Sequence, residues 1–247
     1  MSFVAAIALL KYLVGVFLLT VTDLTVEYAD GTRAIDVVSF SIEAGENVAL
    51  IGANGAGKTS LLLALVGVLQ SLRGEIHVDE TVLNKKNLRE IRSRVGLVFQ
   101  NPDDQLFMPN IFEDTAFGPR SFGCGEAETT GRVNAALSQL GIEHLAERSP
   151  LKLSCGEKRL AAIATVLAMT PEFLLFDEPT AFLDPRARRG LTAILSDFPQ
   201  GKLIATHDLA FAEAMCRRVL LLQNGKLVAD GGRELLRDTT TLEAAGL

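Results

Sequence analysis

Val21 to Tyr28 alternates β-branched and polar residues, and Arg33 to Ile42 does so less cleanly. A period of two predicts a pair of antiparallel strands around the turn residues Asp30-Gly31. Val48 to Ile51 is a short apolar run that meets a glycine-rich loop, after which an apolar helix is expected from about Lys58 to Leu69. Val95 to Phe99, Phe173 to Phe176 and Leu203 to Thr206 are three further runs of buried-strand type, separated by helical patterns. Such an alternation assembles most economically around a parallel sheet. Between Asn101 and Pro150 the strand runs stop, while Val133, Ala136, Leu137 and Leu140 keep helical spacing before Gly141. A helical subdomain, about residues 101–165, is therefore expected as an insertion. Near the end, VLLLQNGKLVAD sets two apolar runs about Asn224-Gly225, a hairpin signal. The pattern predicts an α/β fold with a mostly parallel core sheet, an antiparallel β subdomain and an inserted helical subdomain.

The amino terminus breaks this pattern, because Phe3 to Leu19 is apolar except for Lys11 and approaches the length of a membrane span. A secretory leader would carry early positive charge and a small-residue cleavage site, which this run lacks. Lys11 near its centre would be costly in a bilayer unless the amine snorkels. Residues 1–20 are read as an extension, whether an anchor, a buried helix or a mis-assigned start, and the folded domain is expected over 21–247.

Composition narrows the class. Hydrophobic residues make up 48% and charged residues 22% of the 247, which excludes disordered and fibrous chains and fits an ordinary α/β domain. A formal charge of −6 does not favour general binding to nucleic-acid phosphates. Cys124, Cys155 and Cys216 are too scattered for a disulfide framework or a zinc site.

The chemistry begins at Gly52-Ala53-Asn54-Gly55-Ala56-Gly57-Lys58-Thr59, which fits G-x-x-x-x-G-K-[ST] between a predicted strand and a predicted helix. Glycines let backbone N–H groups turn inward around phosphate oxygens, and the helix N-terminus adds positive potential. Lys58 is expected to reach the β/γ-phosphates and Thr59 to offer a hydroxyl to Mg²⁺. Phe173 to Phe176 then ends in Asp177-Glu178, at the strand end where open α/β sheets place ligands. Asp177 is the candidate for holding Mg²⁺, and Glu178 the candidate general base that orients and deprotonates an attacking water. His207 follows the strand LIAT and is within expected reach of Glu178 or the γ-phosphate.

Leu153-Ser154-Cys155-Gly156-Glu157 precedes the apolar helix LAAIATVLAM, and Ser154 with Glu157 makes a capping box. Followed at once by the acidic strand, this arrangement resembles the signature motif of ATP-binding-cassette (ABC) ATPases. The resemblance extends over nearly everything after Val21. It implies a P-loop ABC-ATPase fold, with Tyr28 as adenine-stacking aromatic, Gln100 in the Q-loop, Ala181-Phe182-Leu183-Asp184 as D-loop and His207 as switch histidine. The implied ATP-contacting residues are Tyr28, Gly52, Asn54, Gly55, Ala56, Gly57, Lys58, Thr59 and Ser60. Ser154, Cys155, Gly156, Glu157 and Asp184 join them from a second subunit, while Thr59, Gln100 and Asp177 surround Mg²⁺.

Phe99-Gln100-Asn101-Pro102-Asp103-Asp104-Gln105-Leu106-Phe107 is moreover similar to the Q-loop of energy-coupling-factor importers, especially cobalt and nickel types. The resemblance implies a peripheral ATPase on the cytoplasmic face of the cell membrane. It would pair head to tail with an identical or paralogous subunit and drive a transmembrane energy-coupling subunit with its substrate-binding membrane component. A vitamin importer stays open as an alternative, although the sequence lacks the additional C-terminal region of many vitamin-type members. A soluble ABC ATPase acting on DNA or ribosomes is disfavoured by the single cassette and the absence of heptads. Two positions depart from the family pattern. Cys155 stands where signatures carry glycine, and if that position needs positive φ a side chain costs about 1–2 kcal/mol; turnover is then expected to be sensitive to thiol reagents. Phe182 is bulkier than the usual D-loop residue.

Overall fold

The structure, a computed structural model, describes residues 18–247. The expectation for the amino-terminal run lies outside the described residues up to residue 17. Strand β1 (Leu18–Glu27) pairs antiparallel with β2 (Arg33–Glu43), so the first described residues, three positions before the expected start of the domain, already belong to its antiparallel layer. Leu18, Leu19 and Thr20 are buried in this strand, so the apolar run ends in core rather than in an extension. β3 (Asn47–Ile51) leads through the glycine loop into α1 (Lys58–Leu65). This helix stops before the expected Leu69 because Gly67, at φ +65, takes the left-handed turn that glycine alone enters at no steric cost.

β4 (Ser71–Val78) and β5 (Thr81–Val82) return to the antiparallel layer, whose order is β2-β1-β4-β5. α2 (Leu88–Arg94) precedes β6 (Val95–Val98). Then α3 (Ile111–Ser121), α4 (Glu126–Gln139) and α5 (Cys155–Leu167) form the strand-free region, with both α3 and α4 packed on α5. The chain returns through β7 (Phe173–Asp177), α6 (Pro185–Ser196), β8 (Gly201–Thr206) and α7 (Leu209–Met215). The hairpin β9 (Arg218–Gln223) and β10 (Lys226–Gly232) and the short α8 (Thr239–Ala244) complete it. The second sheet has the order β10-β9-β3-β8-β7-β6, parallel throughout except for the β9–β10 edge.

Two cores lie on opposite faces of this sheet, and strand alternation feeds both. In β7, Phe173 and Leu175 join the core shared with the antiparallel layer and α1. Leu174 and Phe176 join the core beneath α3 to α7. Each such buried side chain stabilises the fold by about 1.5–3 kcal/mol relative to exposure. A strand with both faces covered has no freedom to slip in register, which fixes where its C-terminal carboxylates emerge.

Candidate functional site

Three parallel strands, β3, β7 and β8, end on the same edge of the sheet, and the chemistry stands at their C-terminal ends. From β3 the chain makes the loop Gly52–Gly57, with Gly55 at φ +81 and Gly57 at φ +107. Gly57 is required twice over, because a Cβ there would also sit 2.5 Å from the Ala34 carbonyl oxygen. Lys58 opens α1 and is buried; its Nζ donates back to the carbonyls of Gly52 (2.7 Å) and Ala53 (3.2 Å).

The next residue, Thr59, donates its hydroxyl to Asp177 Oδ2 at 2.8 Å, joining the loop to the end of β7. Asp177 is buried, and its other carboxylate oxygen, Oδ1, has no hydrogen-bond partner among the described residues. Burial raises the pKa of this carboxyl above the usual range, opposed by the Thr59 hydroxyl and by the charges of Lys58 and Arg159. A buried acceptor without a donor costs free energy, and a divalent cation at Oδ1 would remove that cost. The residues therefore fit Mg²⁺. Among the described residues no group of three or more His, Cys, Asp or Glu forms a metal cage, so phosphate oxygens would complete the coordination.

Glu178 is held from several sides. Its Oε1 lies 2.9 Å from His207 Nδ1 and 3.7 Å from Lys58 Nζ. Oε2 accepts from the Thr206 hydroxyl at 3.1 Å and from the His207 backbone N–H at 3.3 Å. The backbone of Glu178 has φ +43, a strained conformation for a residue with a side chain. The carboxylate is thus fixed in orientation beside the phosphate loop, the geometry a general base needs.

A cleft of about 670 Å³ brings together Tyr28, Asn54, Gly55, Gly57, Lys58, Thr59, Ser60, Gln100, Asp177, Glu178 and His207. Its volume is within the range of small-molecule sites. Tyr28 Oη and Ser60 Oγ are hydrogen-bonded at 2.7 Å, which ties the aromatic ring to the first turn of α1. Gly52 and Ala56 do not line the cleft. A Cβ on Gly52 would meet the Leu222 carbonyl at 2.4 Å, and buried Ala56 accepts the Gly225 N–H at 2.9 Å. Both shape the loop against the hairpin instead.

Sequence reasoning missed Thr32, Arg33, Ala34, Asn224 and Gly225, which complete the cleft wall. Asn224-Gly225 was legible only as a turn. Arg33, exposed and hydrogen-bonded to Asp36 at 3.1 Å, carries no pattern that separates it from an ordinary strand end.

The signature residues and Asp184 stand apart from this cleft. Ser154 caps α5, its N–H and hydroxyl donating to Glu157 Oε2 at 2.8 and 2.7 Å. These bonds hold the Glu157 carboxyl below its ordinary pKa. Cys155 is exposed, occupies the first helical position and is not among the residues at positive φ. The expected strain at Cys155 is therefore absent, because a helical φ accommodates any Cβ. Asp184 accepts from the N–H groups of Arg186 (2.7 Å) and Ala187 (2.9 Å) as the cap of α6. Phe182 takes φ +63 and leaves 81% of its surface exposed.

The family model for ABC transporters matches residues 35–181. An ABC transporter ATP-binding protein of Geobacter sulfurreducens is 49% identical over 85% of this chain and 85% of its own length. The energy-coupling factor transporter ATP-binding protein EcfA of Carboxydothermus hydrogenoformans is 44% identical over 92% of this chain and 85% of its own. Among solved structures, CbiO1 of Clostridium perfringens, described as part of the ABC transporter complex CbiONQ, superposes with a TM-score of 0.81. It shares 34% identity and covers 91% of this chain and 92% of its own.

Proposed function

Because this chain belongs to the ABC transporter family and is an ATPase of a transporter, we propose that it energises an importer of the energy-coupling-factor type, with cobalt or nickel as solute. The observation that carries the reading is the joint geometry of the Thr59–Asp177 bond and the Glu178–His207 pair across one cleft. The importer class draws support from the EcfA relative and from the CbiO1 fold neighbour. The solute rests on the Gln100–Phe107 segment and its likeness to metal-ion importers. Among the described residues no helix is long and apolar enough to cross a membrane, so coupling to transport calls for a membrane partner. The proposed location is the cytoplasmic face of the membrane.

In the proposed reaction, ATP enters the cleft past Tyr28, and Lys58 exchanges its two loop carbonyls for β/γ-phosphate oxygens. Thr59, Asp177 and Gln100 would hold Mg²⁺, which supplies charge neutralisation on the phosphates when bound. Glu178, its carboxylate fixed by Thr206 and His207, accepts the proton of the water that attacks the γ-phosphate. Ser154 and the N-terminus of α5 from a second subunit stabilise the developing charge from the opposite side.

The test is steady-state ATPase activity of wild type beside Glu178→Gln, with light scattering on the same samples. Expected is turnover by wild type, with Glu178→Gln inactive but trapped as an ATP-bound dimer. Undiminished turnover by Glu178→Gln would remove the general-base role. Co-expression with a membrane energy-coupling subunit, followed by radiolabelled cobalt and nickel uptake, tests the importer class; ATPase activity without solute uptake would overturn it.

A further inference from the structure

Arg159 is 2% exposed, the largest side chain among the described residues to be so fully buried. Among the described residues no carboxylate pairs with it. Its Nη1 donates to the Phe99 carbonyl at 2.8 Å and its Nη2 to the Gln100 carbonyl at 2.6 Å, while its Nε is buried without a partner among the described residues. Burial pushes this guanidinium below its ordinary pKa. Asp177 favours this cation only from a distance and burial outweighs it, and apolar residues of similar volume often do as well or better for stability. Packing alone therefore gives no reason for arginine here. The planar fork does, because it reaches two successive carbonyls at once, which a lysine point charge does not.

Both carbonyls belong to the segment that carries Gln100 into the cleft. The same helix holds this segment at further points. Gln105 accepts the Phe99 N–H at 3.1 Å and donates to the Ala162 carbonyl and the Thr165 hydroxyl, both at 2.8 Å. Lys158 pairs with Asp103 at 2.6 Å. Lys158, Arg159, Ala162 and Thr165 thus turn one side of α5 toward residues 99–105.

We infer that Arg159 is a positioning residue for Gln100: it fixes the backbone from which the Gln100 side chain enters the phosphate cleft, and does so from the helix whose first turn carries Ser154 to Glu157. The inference rests on the ATPase reading of the cleft and deepens it. Gln100 is set from α5, so any tilt of that helix moves Gln100 relative to Asp177 and Glu178. Displacements of about 1 Å at such a group cost on the order of 100-fold in rate.

The experiment is a double-mutant cycle of Arg159→Met and Gln100→Ala, read as kcat and KM for ATP, with thermal melts of all four proteins. Expected is a melting temperature for Arg159→Met no lower than wild type, a KM within about threefold, and a kcat lower by about tenfold or more. In the Gln100→Ala background the same substitution should change kcat by less than about twofold, because its effect travels through Gln100. Equal losses in both backgrounds would overturn the inference, since a purely structural defect is indifferent to Gln100. If Arg159→Met does not fold, Arg159→Lys enters the same cycle with the same expectation; failure of both to fold makes Arg159 a core support and overturns the positioning role. Wild type assayed alongside separates the two layers. Without turnover there, the ATPase reading fails and this inference with it; with turnover and additive losses, only the inference fails.

Discussion

Lys202 is 1% exposed at the start of β8, at the opposite end of the strand from the phosphate cleft. Its Nζ donates to the Phe198 carbonyl at 2.7 Å and to the Gln200 carbonyl and Asn47 Oδ1, both at 3.1 Å, and no carboxylate pairs with it among the described residues. Burial lowers its pKa from 10.5 to about 8. Between these values the unfolded chain binds one more proton than the folded one, so this group makes stability rise with pH across the window. Below pH 8 the folded state carries the whole cost of the buried charge; above 10.5 the group contributes no further slope. The 2.5-unit difference between 10.5 and 8 corresponds to about 3 kcal/mol. Lys202→Met removes the proton and also takes the donor from three acceptors, the Phe198 and Gln200 carbonyls and Asn47 Oδ1, so its absolute effect at one pH mixes two causes. The difference in pH slope isolates the charge. Buried Cys216, its thiol pushed from 9.0 up to about 12, loses its proton only in the unfolded chain within this window and lowers stability as pH rises, but both proteins carry it and it cancels in the difference. Urea denaturation of both proteins between pH 7.5 and 10.5 should show wild type gaining about 3 kcal/mol relative to Lys202→Met. Parallel curves would mean that Lys202 stays charged in the fold, and would refute the burial argument.

Two further outcomes follow from the site. Asp177→Asn keeps an acceptor for Thr59 while removing a carboxylate whose pKa burial has raised, so in metal-free buffer at pH 7.5 the variant should melt higher than wild type. It should also lose the extra increment that Mg²⁺ adds to ATP in wild type; a lower melting point, or a retained increment, contradicts the role given to Asp177. Cys155 is exposed at the start of α5, so N-ethylmaleimide should inhibit ATP turnover in a Cys124→Ser background, with ATP slowing the labelling. Complete labelling of Cys155 with unchanged turnover would disprove it.

What the sequence made legible follows from where the information resides. β3, the phosphate loop and β7 are local: a strand covered on both faces reads as an unbroken apolar run, and the residues doing chemistry follow it directly in the chain. β4 escaped because Ser71 to Glu75 are all exposed and only Ile76 and Val78 face the core, so SLRGEIHV has no strand period to detect. The start of β1 was hidden for the opposite reason, since Leu18 and Leu19 continue an apolar run in which alternation disappears. Arg33 and Asn224-Gly225 reach the cleft only through tertiary folding. Arg159 was harder still. In Glu-Lys-Arg after a helix cap it reads as solvated charge, and only the folded chain turns it inward onto two carbonyls.

The signature shows where a single chain stops explaining its own residues. Gly57 has a reason within the chain, a φ of +107 and a carbonyl 2.5 Å from any Cβ. Gly156 has none of this kind: its φ lies outside the positive range, and a Cβ would meet only the Ala187 side chain at 3.6 Å, an ordinary contact. The neighbouring position tolerates Cys155 without backbone strain. Nothing in the folding of the described residues therefore calls for glycine at 156. The N-terminus of α5 is closed within the chain by the Ser154–Glu157 capping box, and the helix dipole adds positive potential beside it. The cleft of the same chain is lined by Asp177, Glu178 and His207, and Ser154 to Glu157 do not line it. Under the function proposed above, two copies placed head to tail would bring these two surfaces together around one triphosphate in each cleft.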